Sequence, residues 1–519
     1  MKYLLKCFSR CGYFLAPLWF WALPAQAADL EGALTSGSAL PADISVPSSY
    51  TLNGEPYAGE IDSHTNISIN CSFSEVPSAY IITRASASLS AGNLTYDISY
   101  LPANFWDKNL LEISGSQTVS VENLTVNLRD TKTSQPILGF QIESGATLET
   151  RGDFLFSDTR NSTNWYMTRV AFRGSGNVKV GGDFIIDSQV SNPPAHNLDS
   201  ASLYVYTRTF AVDGVLTVRN SNGDNNIFQV SPSSAGTFTR TLGGLQITQK
   251  GMIHLGGSVA TANTTEFIFT NSGTSEYIGG LLTKDSDGEL ADNKLNVRMT
   301  ANDTANGRQI MKFTPTQGWS LSSGDFSDSP NALNEVEVSG GRLDLGMYDG
   351  MKGGSLMIMG YNNPSEAVFS ATGAGVSGSE IGRVEFDSMS FYRGTVVFDL
   401  AETDGDFIKI NGAMTKVSGA SPLVLEMNVS AYDLQAWLEA SESDEWSANL
   451  MSFATDGSNV SAEDFTLKLQ DGIMGKITVS ELDGVSTLTA NLSLVPEPAE
   501  VAAILGAFAL LLVARRRRG

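Results

Sequence analysis

The chain has 519 residues, a formal net charge of −23, 50 glycines and only 3 histidines and 3 cysteines. A negative charge of this size repels nucleic acids and anionic lipids, so a nucleic-acid partner is not expected. Helix-favouring residues are sparse, whereas Gly, Ser, Thr, Asn, Val and Ile are common, which indicates an all-β protein with many turns.

Residues 1–27 have the features of a secretory signal peptide. Basic residues precede an apolar stretch, and Ala25 and Ala27 supply the small residues of a cleavage site, so the mature chain is predicted to begin at Ala28. The protein is therefore expected to be exported. Removal of this segment would leave Cys71 as the only thiol, which excludes an intrachain disulfide and favours a small core residue.

Residues 28–110 lie ahead of a repeated region and are rich in Ser, Pro and Ala. The open end of a stack of strands must be covered, because its unpaired backbone groups otherwise promote aggregation. We therefore expect this region to form an irregular β cap.

A weak repeat of about thirty residues runs through residues 111–290. Its copies begin with Gly or Asn before a short apolar strand, at residues 123, 152, 182, 214, 244 and 280. Because one unit cannot bury its apolar face alone, the units are expected to stack as the coils of a solenoid. This arrangement predicts an internal column of Phe154, Phe184, Leu216 and either Leu245 or Ile247. The alternative is a β-sandwich or meander whose strands merely look alike.

Residues 291–494 keep the alternation of apolar and polar residues but lose the regular period. Within this half, residues 393–494 resemble in texture the C-terminal part of the passenger β-helices of autotransporter-like proteins, through the stretches 394–400, 407–412 and 423–427. Together the two halves predict a right-handed parallel β-helix, with the C-terminal tail taking the place of the membrane barrel that such passengers carry.

One helix is expected near residues 431–446. Ser430 and Asp433 form a capping box at its start, and apolar residues follow at helical spacing. Trp437 and Trp446 fall in this segment, where packing of the cap is favoured over a carbohydrate platform.

Asp285, Asp287 and Glu289 form an acidic cluster near the end of the repeat. Carboxylate oxygens are the ligands that calcium prefers, so this cluster is the candidate metal site and calcium the only candidate cofactor. The alternative is a solvated turn, since the glycine after Asp287 does not match the spacing of an EF-hand.

No catalytic residue is assigned from the sequence. The histidines are far apart, and the motifs of serine hydrolases, phosphate-binding loops and zinc proteases are missing. A polysaccharide lyase or glycosidase is the alternative function, because such enzymes use two or three carboxylates. Asp153 and Asp183, one repeat apart, would repel each other if stacked, so they are expected to be splayed or to share a cation. Asp404 and Asp406 are a second candidate pair.

The C-terminal tail, residues 495–519, has three parts. Pro496, Glu497 and Pro498 precede the apolar run 501–514, which as a helix spans roughly 21 Å. This length is short for a hydrocarbon core of about 30 Å, so the run predicts a single short transmembrane helix. The run is followed by the positive charges that keep a chain end in the cytoplasm, Arg515, Arg516, Arg517 and Arg518. An ordinary single-span anchor is the alternative.

The order of these three parts closely resembles the PEP-CTERM sorting signal of Gram-negative bacteria, with Pro496, Glu497 and Pro498 as the motif. The resemblance covers the tail alone. It implies processing by an exosortase-type membrane enzyme, transient anchoring in the bacterial membrane and delivery to the cell surface or extracellular matrix. The sequence thus predicts a surface-displayed structural or adhesive β-solenoid, for which extracellular polysaccharide is a candidate partner.

Overall fold

The computed structural model folds the chain into an all-β protein whose body is a β-solenoid of about 9 turns. The residues it describes are 28–102, 107–129, 137–160, 168–189, 201–220, 226–230, 236–256, 263–271, 273–283, 293–301, 307–315, 320–321, 324–325, 329–361, 367–373, 381–495 and 507.

The strands of the first part are β1 (Asp29–Thr35), β2 (Ala42–Asp43), β3 (Thr51–Leu52), β4 (Glu55–Pro56), β5 (Asn66–Ser72), β6 (Ile81–Ala85), β7 (Leu89–Ser90), β8 (Leu94–Tyr100) and β9 (Asp107–Ile113). The strands of the repeat are β10 (Thr118–Val121), β11 (Leu124–Leu128), β12 (Ile137–Ile142), β13 (Thr147–Thr150), β14 (Phe154–Asp158), β15 (Thr168–Arg173), β16 (Asn177–Val180), β17 (Phe184–Ser188), β18 (Ala201–Val205), β19 (Thr209–Asn220), β20 (Asn226–Val230), β21 (Gly236–Leu255), β22 (Asn263–Phe269) and β23 (Thr274–Leu282).

The second half contains β24 (Lys294–Thr300), β25 (Arg308–Phe313), β26 (Ser320–Leu321), β27 (Gly324–Asp325), β28 (Leu333–Gly346), β29 (Gly353–Met359), β30 (Ala367–Ala371), β31 (Arg383–Arg393), β32 (Thr395–Asp399), β33 (Phe407–Lys416), β34 (Leu423–Asn428), β35 (Trp446–Ala454), β36 (Phe465–Lys468), β37 (Ile473–Leu482) and β38 (Val485–Leu494). The helical elements are α1 (Ala431–Ser441) and the 3₁₀ turns Pro47–Ser49 and Ala462–Asp464.

The strands pair in parallel with the equivalent strands of the coils before and after them. One sheet of the solenoid includes β5, β8, β11, β14 and β17, and the other includes β6, β9, β12, β15 and β18. Alternation along each strand sets which side chains face inward: in β10, Val119 and Val121 are buried between more exposed polar neighbours. A sandwich or meander is therefore wrong for this body, because its neighbouring strands would be antiparallel.

The predicted internal column is present. Phe154, Phe184, Leu216 and Leu245 are opposite one another in successive coils, and all four are fully buried. The rings of Phe154 and Phe184 are stacked, with centroids 4.4 Å apart and planes 10° from parallel. Ile247 instead pairs with Tyr277 in the other sheet, so Leu245 continues the column.

Two of the sequence matches are misplaced. Leu124 pairs with Phe154, so the copy that begins at Asn123 is displaced by one residue from its predicted alignment. Gly280 pairs with Met252 in the opposite sheet and does not extend the column at all. In both sheets, a small residue precedes a strand that buries alternate apolar side chains. A short sequence match therefore does not reveal which sheet a strand belongs to.

A polar group is enclosed in the interior of the repeat. Asp158, Ser188 and Asn220 are opposite one another in successive coils and are fully buried. Arg160 Nε donates to Asp158 Oδ1 over 2.8 Å. Thr168 Oγ1 donates to the Asp158 carboxylate and lies 2.9 Å from Ser188 Oγ, within hydrogen-bond distance. The charges of Asp158 and Arg160 are thus paired where water does not reach them.

The predicted helix is present over residues 431–441. Ser430 Oγ accepts a 3.1 Å hydrogen bond from the Asp433 amide, and Leu434 and Leu438 are buried. The helix ends five residues earlier than expected because Glu442 takes a left-handed conformation, with φ of 52°.

The two ends of the solenoid differ. At the start, β1 pairs in parallel with β5, and the short antiparallel strands β3 and β4 lie beside β1, within the region 28–110 predicted as a cap. At the other end, β38 pairs antiparallel with both β35 and β37. In the described part of the chain, no helix is both long enough and apolar enough to cross a membrane. The predicted membrane segment 501–514 lies outside the described residues apart from Ala507.

Candidate functional site

Most residues predicted to carry function fall outside the described part of the chain, and their roles stay predictions. They are Ala25, Ala27, Asp285, Asp287, Glu289, Pro496, Glu497, Pro498, Arg515, Arg516, Arg517 and Arg518. Within the described part, no group of three or more His, Cys, Asp or Glu side chains is arranged to hold a metal ion.

A row of Asn and Asp side chains runs along one corner of the first coils, and we call it the Asx ladder. It comprises Asp29, Asn66, Asn93, Asn123, Asp153 and Asp183. In its amide half, Asn66 Nδ2 donates to Asp29 Oδ1 at 2.7 Å and Asn93 Nδ2 donates to Asn66 Oδ1 at 3.1 Å. Asn123 Nδ2 likewise donates to Asn93 Oδ1 at 2.8 Å. Each side chain therefore binds its coil to the next one.

The carboxylate half of the Asx ladder uses backbone donors. The amides of Asp153, Asp183 and Val215 each donate, over 2.8 Å, to the side-chain oxygen of the ladder residue one coil earlier. The Asp183 amide thus joins its coil directly to Asp153 of the preceding coil. The expectation that the two carboxylates are splayed or share a cation stays a prediction. Each of the two carboxylates accepts a hydrogen bond from a backbone N–H group, which offsets the repulsion between their negative charges.

The glycine that opens three of the repeats is explained by this ladder. A Cβ at Gly152, Gly182 or Gly214 would collide with the ladder side chain of the preceding coil. The backbone at these positions approaches a neighbouring side chain too closely for any larger residue. The repeated glycine therefore reflects the contact between coils rather than a tight corner.

A concave site lies near the C-terminal end, where the loop 400–406 between β32 and β33 faces the start of β35. This cleft has a volume of about 420 Å³, and its lining includes Arg383, Glu402, Asp404, Phe407, Trp446 and Asn449. Its size is within the range of small-molecule sites, about 300–1,000 Å³. Charged, amide and aromatic groups are therefore brought together in one place.

Asp404 and Asp406 occupy different environments. Asp404 is exposed in the cleft, where the Gly405 amide and then Arg383, 2.7 Å away, hold its pKa below the usual value. Asp406 is fully buried, and its two oxygens accept hydrogen bonds from the amides of Gly382 at 2.6 Å and Asp399 at 2.8 Å. The two carboxylates do not line one cleft, so this candidate carboxylate pair is not formed.

Burial raises the pKa of Asp406 to about 8. The two backbone amides favour the carboxylate and oppose this effect, while the nearby charges of Asp399 and Asp344 reinforce it. The hydrogen bonds connect Gly382, just before β31, and Asp399, the last residue of β32, to the loop 400–406, which gives Asp406 a structural role.

The two tryptophans pack as expected of a cap. Trp446 is 8% exposed, its Nε1 donates to the Glu402 carbonyl at 3.0 Å, and its ring is 5.6 Å from that of Trp437. With so little of its face accessible, Trp446 positions the loop of the cleft rather than offering a broad stacking platform.

The histidines and the cysteine provide no catalytic centre in the described part of the chain. His64 is exposed beside Asp62, His254 is buried in β21, and His196 lies outside the described residues. Cys71 is buried in β5, and burial raises the pKa of its thiol to about 12, so it is the core residue that the sequence indicated.

Sequence reasoning missed the asparagines of the Asx ladder and most of the cleft. The signal for the ladder was the triplet Asn-Leu-Thr, which occurs at residues 93 and 123, one repeat apart. The cleft gave no local signal, because Arg383, Glu402 and Asn449 come from three separate parts of the chain.

Comparison with known protein families finds no match for this chain, and comparison with curated proteins finds none either.

Proposed function

We propose that this protein is an exported, surface-displayed β-solenoid that serves as a structural or adhesive element of the bacterial envelope or extracellular matrix. The observation that carries the proposal is the Asx ladder, in which polar residues at the surface join neighbouring coils to one another. A stack that uses its surface side chains in this way is suited to a scaffold. The proposal includes a right-handed coil, the usual hand of parallel connections within a sheet.

Surface ion pairs support the same reading. Arg151 and Glu122 are 3.0 Å apart, Arg219 and Asp187 are 3.0 Å apart, and further pairs join later coils. One exposed pair stabilises a protein by about 0–1 kcal/mol, so no single pair is decisive. Repeated along the stack, they engage acidic side chains with neighbouring coils.

The proposed route to the surface rests on the tail. Pro496, Glu497 and Pro498, the short apolar run 501–514 and the terminal arginines resemble a PEP-CTERM signal, so the proposed partners are an exosortase-type enzyme and the bacterial membrane. Leu494 is the last residue of β38, which means that cleavage within or after the motif would leave the final hairpin whole.

Mass spectrometry of the C-terminus tests this route. Protein recovered from the cell surface is expected to lack Arg515–Arg518, whereas a variant with Pro496, Glu497 and Pro498 changed to Ala is expected to keep them and to stay in the membrane. Intact arginines on wild-type protein at the surface would favour a permanent anchor instead.

A second candidate function is that of a carbohydrate-active enzyme, because Glu402 and Asp404 both line the cleft. Glycan depolymerisation assays on the wild-type protein and on Glu402→Gln and Asp404→Asn separate the two functions. Release of reducing or unsaturated ends that either substitution abolishes would replace the scaffold proposal. Glycan binding without depolymerisation would support the adhesive role.

A further inference from the structure

The last sheet of the solenoid ends in a long strand with an open edge. Strand β37 pairs along its whole length with β38, and no other strand in the described part of the chain pairs with it. An edge of ten residues presents a row of unpaired N–H and C=O groups, which is a template for another strand. The start of the solenoid differs, since β3 and β4 lie beside β1.

The usual protection of such an edge is weak here. Proteins commonly shield edge strands with lysine, proline or a bulge. The pairing of β37 with β38 has no bulge, the strand contains no proline, and its one lysine, Lys476, forms an ion pair of 2.9 Å with Glu445. The outward face of the strand also carries Met474, 47% exposed, and Leu482, 76% exposed.

The sequence of β37 is complementary to itself when two copies run antiparallel about Thr478. Met474 then lies opposite Leu482 of the second copy, and Lys476 lies opposite Ser480. On the other face, Ile477 meets Val479, a β-branched pair of the kind that stabilises sheets.

Other symmetric registers are less favourable. A shift of two residues in either direction, or of four toward the C-terminus, places Lys476 or Glu481 against an apolar side chain. A shift of four toward the N-terminus sets Lys476 opposite Lys476, and a shift of six toward the C-terminus sets Glu481 opposite Glu481. Like charges directly opposite one another destabilise a strand pair, so the register centred on Thr478 is selected.

We propose that two copies of this chain associate through β37, forming one continuous sheet across a two-fold axis at Thr478. Such an isologous contact is closed, because the same strand serves as donor and acceptor. The tail follows β38 rather than β37, so the proposed contact leaves it free and stands independently of the sorting route.

Single cysteines test the register in the full-length protein. Thr478→Cys places two thiols directly opposite each other, about 4.5–5.5 Å apart at Cβ, and is expected to give a disulfide-linked dimer on mild oxidation. Ser480→Cys is the matched control, because its thiols would be separated by four residue positions, roughly 13 Å along the strand. The wild-type protein controls for its own cysteines. Equal cross-linking of both variants, or of neither, would overturn the register.

A charge exchange tests the contact without a covalent bond. Met474→Lys with Leu482→Lys sets two lysines against each other at both ends of the interface and is expected to weaken dimerisation at least tenfold by sedimentation. Met474→Lys with Leu482→Glu pairs opposite charges and is expected to restore most of it. The positions lie eight residues apart on one strand, so rescue within one copy is excluded. A wild-type protein that is monomeric at every concentration would overturn the proposal and would mean that the edge of β37 does not bind a second copy of this chain.

Discussion

The amide of Asp183 donates a 2.8 Å hydrogen bond to Oδ1 of Asp153, one coil earlier on the surface of the solenoid. Two carboxylates that the sequence presents as a candidate catalytic pair are thus consecutive members of a structural row. The same bond recurs between Asn123 and Asp153 and between Asp183 and Val215. Hydrogen bonds between successive coils at this corner account for the spacing of these residues.

Removal of the ladder acceptor at residue 153 should loosen the coil that follows it. Asp153→Ala leaves the Asp183 amide without its protein acceptor, at a cost of about 1 kcal/mol, and should raise hydrogen exchange at that amide roughly fivefold. Asp153→Asn keeps the oxygen and matches the residue at 123, so exchange should stay close to wild type. Equal exchange in both variants would show that the bond does not hold the coils together.

The stacked phenylalanine Phe154 should tolerate replacement by another large apolar residue but not truncation to alanine. Phe154→Ala is expected to cost about 3–5 kcal/mol in the free energy of unfolding, because it opens a cavity between fully buried coils. Phe154→Leu should cost less than about 1.5 kcal/mol, since Leu124 and Leu216 occupy the same column. Denaturant unfolding followed by circular dichroism measures both. Similar losses for the two variants would mean that the ring stack itself is essential.

Removing one partner of the buried Asp158–Arg160 ion pair should destabilise the protein strongly. Arg160→Met leaves the Asp158 carboxylate buried without its partner and should destabilise the protein by about 3–5 kcal/mol. Adding Asp158→Leu removes that charge and should recover part of the loss, a coupling that a double-mutant cycle measures. Additive losses in the cycle would argue that the two side chains act separately.

The free energy of unfolding should fall as pH rises, because the buried Asp406 carboxyl loses its proton. Its pKa is about 8 in the folded protein against an ordinary value of 3.8, so the native state holds the proton more tightly than the unfolded chain. The contribution of this group is complete below about pH 4 and is lost as pH rises to about 8. Thermal unfolding between these values should therefore depend less on pH in Asp406→Asn than in the wild type.

Asp404→Asn provides the control for that experiment. Asp404 is exposed and its pKa is lowered, so it titrates below the range in which Asp406 acts. Its substitution should keep the pH dependence of the wild type. A wild-type slope in Asp406→Asn would show that other groups are responsible.

The arrangement of the core could be predicted because stacked coils repeat the same local pattern. The equivalence of Phe154, Phe184 and Leu216 follows from spacing alone, and the register of the structure agrees with it. The displaced match at Asn123 and the misplaced match at Gly280 show the limit of this approach. Alternation of apolar and polar residues identifies a strand, but it does not say which of two similar sheets the strand joins.

The polar sites were harder to predict because burial depends on residues distant in sequence. Asp404 and Asp406 are separated by one glycine, yet Asp404 is exposed and Asp406 is buried against the backbone amides of Gly382 and Asp399. Nothing local distinguishes them. The cleft likewise depends on the folding of residues 383–449 into adjacent coils, which a linear pattern does not show.

The position of β38 between two antiparallel neighbours determines how the protein would bear a mechanical load. A pull on Val495 acts along the axis of β38, so the hydrogen bonds to β35 and β37 would be strained together in shear instead of opening one after another. The fold thus places a strand that is hydrogen-bonded on both sides immediately before the tail, where a pull on the tail would reach the solenoid first.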